Sequence, residues 1–378
     1  MPEKRPVPVS SPSLSGEEER LLKQCLEEGW ISSRGPWIER FEAAVAARAG
    51  RRFGIAVSNG SAALEVALAA LGIGAGDEVV LPAHTIISCA LAILRVGATP
   101  VLADSEPSSW CIDPADAERR ITTRTRAIMM PHLYGLPADM EAFEALAMRH
   151  GIVIVEDASQ MIGATCRERP CGSFGAVSSF SFFANKNVTT GEGGMVLTDD
   201  PAIAARARAY RDLGAQPDRR FVHDDIGWNY RLGSLAAAFG LAQLDGLEAR
   251  LARKRAIGLA YRDRLQHIDE LVLPPMALAQ GPNSYWAAGM LLRDANRADV
   301  DGVIALLAAR GIEARPFFWP MHRQPVFERE GRFAGNAFPV AERISDAGFY
   351  LPCGADLPLA TVDEVCSALI DILRNRAG

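Results

Sequence analysis

Between Phe53 and Asp199 the chain alternates between two textures. Seven short apolar runs (FGIAVS, EVVLPA, TPVLAD, AIMMPH, IVIVED, VSSFSFF and GMVLTD) are separated by turns and by runs of helical length such as SAALEVALAALG and MEAFEALAMRHG. Apolar runs of this length without polar alternation read as strands buried on both faces, and helices between them imply crossovers, so an α/β domain with a mostly parallel sheet is expected. Upstream, Ser15 and Glu18 form a capping-box pattern before ERLLKQCLEEG, which predicts a first helix ending near Gly29, and IERFEAAVAARAG predicts a second. After Leu232 a long arginine-studded helical run leads into PPMALAQGPNS and a shorter set of elements. The division expected is a large α/β domain over residues 1–247 and a smaller C-terminal domain over 248–378.

Size supports that division, because 378 residues exceed the roughly 250–300 at which a single core stops growing. Charge excludes two classes of partner. With a net charge of −6 and 23% charged residues, the chain has no basic excess to hold nucleic acid or an anionic membrane. The N-terminal MPEKRPVPVS carries charges and prolines where an export signal would be apolar, and no run reaches membrane-spanning length, so a cytoplasmic protein is expected. Seven scattered cysteines fit reduced thiols in that compartment. Cys166 and Cys171 lie close together, but no second pair at ligand spacing accompanies them, so no metal site is expected.

In an open α/β sheet, functional groups gather where strands end. Ser58, Asn59, Gly60 and Ser61 fall where the first strand gives way to a helix, a place that suits either a simple N-cap or a bound phosphate. Asp157 ends a five-residue apolar run, where a carboxylate needs a positive or hydrogen-bonding partner: a following turn, or a protonated pyridine nitrogen. Gln160 is then placed to reach a neighbouring ring oxygen. Lys186 follows the apolar Phe182 and Phe183 and precedes Gly191, Gly193 and Gly194. Alone it reads as a solvated turn residue; beside a phosphate cradle and a pyridinium partner it reads as a Schiff-base amine. The three features together describe pyridoxal phosphate.

These residues sit in motifs that run along nearly the whole chain: WISSRGPWIERFE, NGSAALEVALAALGIGAGDEVVLP, HLYG, EDASQMIGA, SFSFFANKNVTTGEGGM, GWNYRLGSLAAAFGLAQL and RPFFWPMH. The chain resembles the DegT/DnrJ/EryC1/StrS sugar aminotransferases, closest in wording to the perosamine synthase branch. The resemblance implies the pyridoxal-phosphate-dependent fold type I (aspartate aminotransferase-like), with a smaller α+β C-terminal domain. It implies amino transfer from an amino acid, L-glutamate, to a nucleotide-linked 4-keto-6-deoxyhexose, as in GDP-perosamine synthesis. Carried over by position, Lys186 matches the cofactor-bearing lysine, Asp157 the partner of the ring nitrogen, and Gln160 the neighbour of the phenolic oxygen. Gly60, Ser61 and Ser181 match phosphate contacts. Asn229 matches a residue that reaches the phosphate of the other subunit, which implies a homodimer with shared sites, and His322 falls where relatives place substrate-side residues. Two positions depart from the family's wording: Ile86 stands where an aromatic usually stacks on the cofactor ring, and Ile162 where histidine is frequent.

Three other functions fit parts of the pattern. A sugar dehydratase on the same scaffold usually replaces the lysine with histidine, and here Lys186 is present. A non-catalytic regulatory relative would have no need of the lysine, the aspartate and the phosphate loop together. A nicotinamide-dependent dehydrogenase would carry G-x-G-x-x-G after the first strand, and SNGSAAL lacks that spacing. Arg219 and Arg220 read as an exposed basic pair, with diphosphate contact as the alternative.

Overall fold

The computed structural model describes residues 6–216, 218–219 and 221–376, so Arg220 lies outside the described residues. All seven apolar runs are strands of one sheet: β1 (Phe53–Val57), β2 (Glu78–Pro82), β3 (Thr99–Ala103), β4 (Thr125–Pro131), β5 (Val153–Asp157), β6 (Val177–Ser181) and β7 (Gly194–Thr198), in the spatial order β1-β7-β6-β5-β4-β2-β3. Every residue of β2 and of β7 is buried, which is why these runs show no polar alternation. Neighbours from β6 to β3 are parallel, whereas β7 runs antiparallel to both β1 and β6. The carboxyl ends of six strands and the start of β7 therefore share one edge. There Ser181 pairs with Gly194, so residues 182–193 form the loop of a hairpin set into a sheet otherwise built from crossovers.

A second, antiparallel sheet comes from β8 (Leu271–Val272), β9 (Ala288–Leu292), β10 (Arg315–Pro316) and β11 (Gly348–Leu351), in the order β8-β9-β11-β10. The helices Arg297–Ala308 and Leu359–Arg376 pack with it around Val300, Leu307, Phe349 and Leu369. The beginning of the chain joins this sheet rather than the first: Val7 N–H donates to Gly311 O (2.8 Å), and Val9 O accepts from Cys353 N–H (2.8 Å).

Two local expectations change. The arginine-studded run forms two helices, Ser234–Asp245 and Leu247–Leu265, broken at Gly246. A Cβ at Gly246 would lie 2.5 Å from Nη1 of Arg250, whose guanidinium folds back to donate to Gln243 O and, at 3.0 Å, to Asn187 O. The first helix spans Glu17–Glu27 with Gly16, at φ 93°, as its N-cap. The Glu18 carboxylate accepts from the N–H groups of Ser15 (3.0 Å) and Gly16 (3.1 Å), but the Ser15 hydroxyl bonds the same carboxylate instead of the Glu18 N–H. Gln243 donates to the other Glu18 oxygen at 2.5 Å and holds this acid buried between two helices.

Candidate active site

A cleft of about 620 Å³ opens at the carboxyl edge of the first sheet. Gly60, Ser61, Ile86, Asp157, Gln160, Ser181 and Lys186 all line it, so seven of the nine residues expected from sequence are brought together.

One end of the cleft is a helix start. Asn59 caps the helix Gly60–Ala70, its Oδ1 accepting from Ala62 N–H (2.8 Å) and its carbonyl from Ala63 N–H (3.1 Å). The first two N–H groups of the helix, on Gly60 and Ser61, are left facing the cleft, and the first turn holds no acidic residue. Such a start attracts an anion. Glycine is required here by packing: a Cβ on Gly60 would lie 2.7 Å from Ser181 Cβ, and one on Gly194 would lie 2.4 Å from Asn59 O. Ser61 Oγ is held by Ser88 Oγ at 2.8 Å, within reach of the same notch.

Asp157 ends β5 and is buried. Its Oδ1 accepts from Ser159 N–H (3.1 Å) and Ser179 Oγ (3.3 Å), whereas Oδ2 meets only the Cys89 thiol, at 3.6 Å. Gln160 Oε1 accepts from Tyr134 N–H at 2.5 Å. Because that partner is a donor, the oxygen must face it and the NH₂ end is the donor available to the cleft.

Lys186 is half-buried in the β6–β7 loop, its N–H bonded to Phe183 O (2.9 Å) and its Nζ 4.7 Å over the Trp286 ring. Burial lowers its amine from 10.5 to about 8; Asp157 opposes the shift by attraction, and the charge of Lys254 adds to it. The neutral, nucleophilic form is thus populated near neutral pH. Ile86 faces the cleft 37% exposed at the start of the helix Ile87–Arg95. Ile162 does not: it is buried in the core.

Two expected residues lie elsewhere. His322, in the short turn Met321–Arg323, bonds Glu342 Oε1 at 3.0 Å and packs against Phe338, so the structure does not bring it to the cleft. Asn229 is exposed and does not line the cleft, its Oδ1 accepting from Arg231 Nε at 2.9 Å. The far wall is instead built by Trp286, Arg315, Phe318 and Tyr350 from the second sheet and its approaches. Arg315 and Phe318 fall in RPFFWPMH, which marks the segment without saying which side chain turns inward, and Trp286 and Tyr350 fall in none of the motifs read from sequence.

The residues fit pyridoxal phosphate. A helix start with unclaimed N–H groups suits its phosphate, a buried carboxylate its ring nitrogen, and a desolvated amine its aldehyde. Two further buried polar atoms on the cleft wall, Asn185 Oδ1 and Trp286 Nε1, have no partner within the protein. The one cluster with metal-ligand atoms among the described residues is His132, Glu156 and Cys171, within 4.8 Å of one another. Its capacity is taken up internally: His132 Nδ1 accepts from Ala138 N–H, Nε2 then donates to Glu156, and Glu156 also accepts from Gly172 and Phe174 N–H. Burial raises the Cys171 thiol well above its usual value, which keeps it protonated.

Comparison with known proteins gives one answer. The model of the DegT/DnrJ/EryC1/StrS aminotransferase family matches residues 12–370. The GDP-perosamine synthase of Caulobacter vibrioides is 40% identical over 368 residues, covering 97% of this chain and 98% of that one. The GDP-perosamine synthase of Vibrio cholerae is 36% identical over 367 residues, covering 96% and 98%. Among solved structures, S. venezuelae DesV superposes with a TM-score of 0.90 at 34% identity, covering 97% of this chain and 98% of that one.

Proposed function

The chain belongs to the DegT/DnrJ/EryC1/StrS aminotransferase family and is a pyridoxal-phosphate-dependent sugar aminotransferase; from that premise we propose that it moves the amino group of L-glutamate to the keto group of a nucleotide-linked 4-keto-6-deoxyhexose. Support for this acceptor comes from the resemblance to the perosamine synthase branch, whose GDP-perosamine synthases match 96–98% of this chain.

The observation that carries the site assignment is the Lys186 amine, lowered to about 8 and facing a cleft that also holds Asp157. Lys186 would hold the cofactor, and its amine, when free, would take the proton that leaves the donor's α-carbon. Asp157 keeps the ring nitrogen protonated. The Gln160 amide would donate to the ring oxygen, Gly60, Ser61 and Ser181 would bind the phosphate, and Ile86 would pack against the ring. When bound, pyridoxal phosphate supplies the electron sink and carries the amino group between the two substrates. The first 247 residues are the cofactor-binding part in this reading, and residues 248–378 supply the substrate-side wall.

The homodimer with shared sites rests on the family match of Asn229, which is exposed and does not line the cleft of its own chain. The cytoplasm suits seven free, buried thiols, and no helix among the described residues is long and apolar enough to cross a membrane.

The test is spectroscopic. The visible band of the purified holoprotein should bleach with L-glutamate and return with a 4-keto sugar nucleotide, with an amino sugar as product. Lys186→Ala should lose the proton-transfer contribution, about 10²–10⁴-fold or more in rate. Retention of near-normal turnover would overturn the assignment. Mixing inactive Lys186→Ala and Asn229→Ala proteins should restore activity if the sites are shared, and no recovery would remove the shared-site dimer.

A further inference from the structure

Asp157 divides its hydrogen bonds unevenly, and the division has a chemical use. Oδ1 takes a backbone N–H at 3.1 Å and a hydroxyl at 3.3 Å, which fix the plane of the carboxylate. Oδ2 faces a single thiol at 3.6 Å, from Cys89 in the helix Ile87–Arg95, and that sulfur is itself 3.7 Å from Thr85 Oγ1. A thiol is a weak donor. Oδ2 thus keeps most of its capacity to accept, and it is the oxygen with room for one strong donor from the cleft. Cys89 is fully buried, and burial together with the Asp157 charge keeps its thiol protonated, so it remains a donor across the working pH range. Among the described residues, the charge of Asp157 acts on Cys89 and Lys186. The adjacent Glu156 points to the other face of the strand, toward His132 and Gly172.

We propose that Cys89 is a positioning residue that aims Asp157 Oδ2 at the cofactor's ring nitrogen and, by donating weakly, leaves that oxygen basic enough to hold the ring proton. The proposal rests on the assignment of Asp157 to the ring nitrogen.

Cys89→Ser and Cys89→Ala make opposite predictions. A hydroxyl donates more strongly than a thiol and competes for Oδ2, which loosens the ring proton; alanine removes the competitor and tightens it. A protonated ring opposes a second positive charge at the nearby nitrogen of Lys186. The pH midpoint of the holoprotein's visible band should therefore rise in Cys89→Ser and fall in Cys89→Ala, each by about half a pH unit, the scale of one weak hydrogen bond. Single-turnover bleaching with glutamate should slow several-fold in the serine variant with little change in glutamate KM. Midpoints that stay at the wild-type value, or that move in the same direction in both variants, would overturn the role of Cys89 while leaving the Asp157 assignment intact. A wild-type protein that forms no visible band with added cofactor would overturn that assignment and this proposal with it.

Discussion

The amine of Lys186 lies under the indole of Trp286, Nζ to ring centroid 4.7 Å, so a residue that leads into the second sheet covers an amine carried by the first. The ring acts on the amine in two opposed ways: its π face favours the ammonium, and its bulk excludes water. Exclusion dominates, since burial is the largest cause of the lowered value.

Trp286→Ala should therefore raise the amine from about 8 toward its ordinary value. Cofactor uptake by the apoprotein, measured as growth of the visible band against pH, should shift its midpoint upward and slow several-fold at neutral pH. An unmoved midpoint would assign the desolvation to other neighbours.

The same lowered amine couples folding to pH. Folded Lys186 loses its proton near 8, while the unfolded chain keeps it to about 10.5, so between these values the unfolded state binds more protons and stability rises with pH. Lys186→Met, which removes the group, should make the apoprotein most stabilised relative to wild type below pH 8. Denaturant midpoints of the two proteins should converge as the pH approaches 10.5. A constant gap across that window would contradict the burial of the amine.

Ile86 lines the cleft at 37% exposure and, in the proposed site, would give the ring face an aliphatic cover. Ile86→Phe should add aromatic stacking, worth about 0.5–1.5 kcal/mol, and tighten cofactor retention about 2- to 10-fold. Dialysis of the holoprotein with absorbance monitoring measures this, and an unchanged dissociation constant would show that the ring does not lie over this side chain.

Two glycine substitutions should part company. Gly60→Ala drives a Cβ to 2.7 Å from Ser181 Cβ and should lose most cofactor affinity while the protein still folds. Gly302→Ala, exposed inside the helix Arg297–Ala308 with nothing within 4 Å, should stabilise the protein by about 0.5–1 kcal/mol with unaltered activity. Thermal unfolding and cofactor titration of both variants test the pair.

The seven strands of the first sheet were legible because each is buried deeply enough to be written as an unbroken apolar run. Asp157, Lys186 and the Gly60–Ser61 turn were legible because each stands at or just past the end of such a run. Gly246 was not legible as a break: a glycine amid good helix formers is ordinarily tolerated, and only Arg250 folding back onto Gln243 and Asn187 makes it one. The far wall was hidden for a different reason. β10 is two residues long, so no periodicity separates the inward Arg315 and Phe318 from His322, which turns away to Glu342. Pairing between groups about a hundred residues apart, such as Trp286 over Lys186, leaves no local trace.

The loop that carries Lys186 has both ends fixed on adjacent antiparallel strands, at Ser181 and Gly194. Most other connections in that sheet cross from one parallel strand to another, and altering one disturbs the packing of a helix. Residues 182–193 carry their load inward instead: Phe182, Asn187, Val188 and Thr189 are buried, Phe182 against Phe41, and Asn187 O accepts from Arg250. Phe183 and Glu192 are exposed and line the cleft, so change at this hairpin is confined to the side that meets the cleft while Ser181 and Gly194 stay in register.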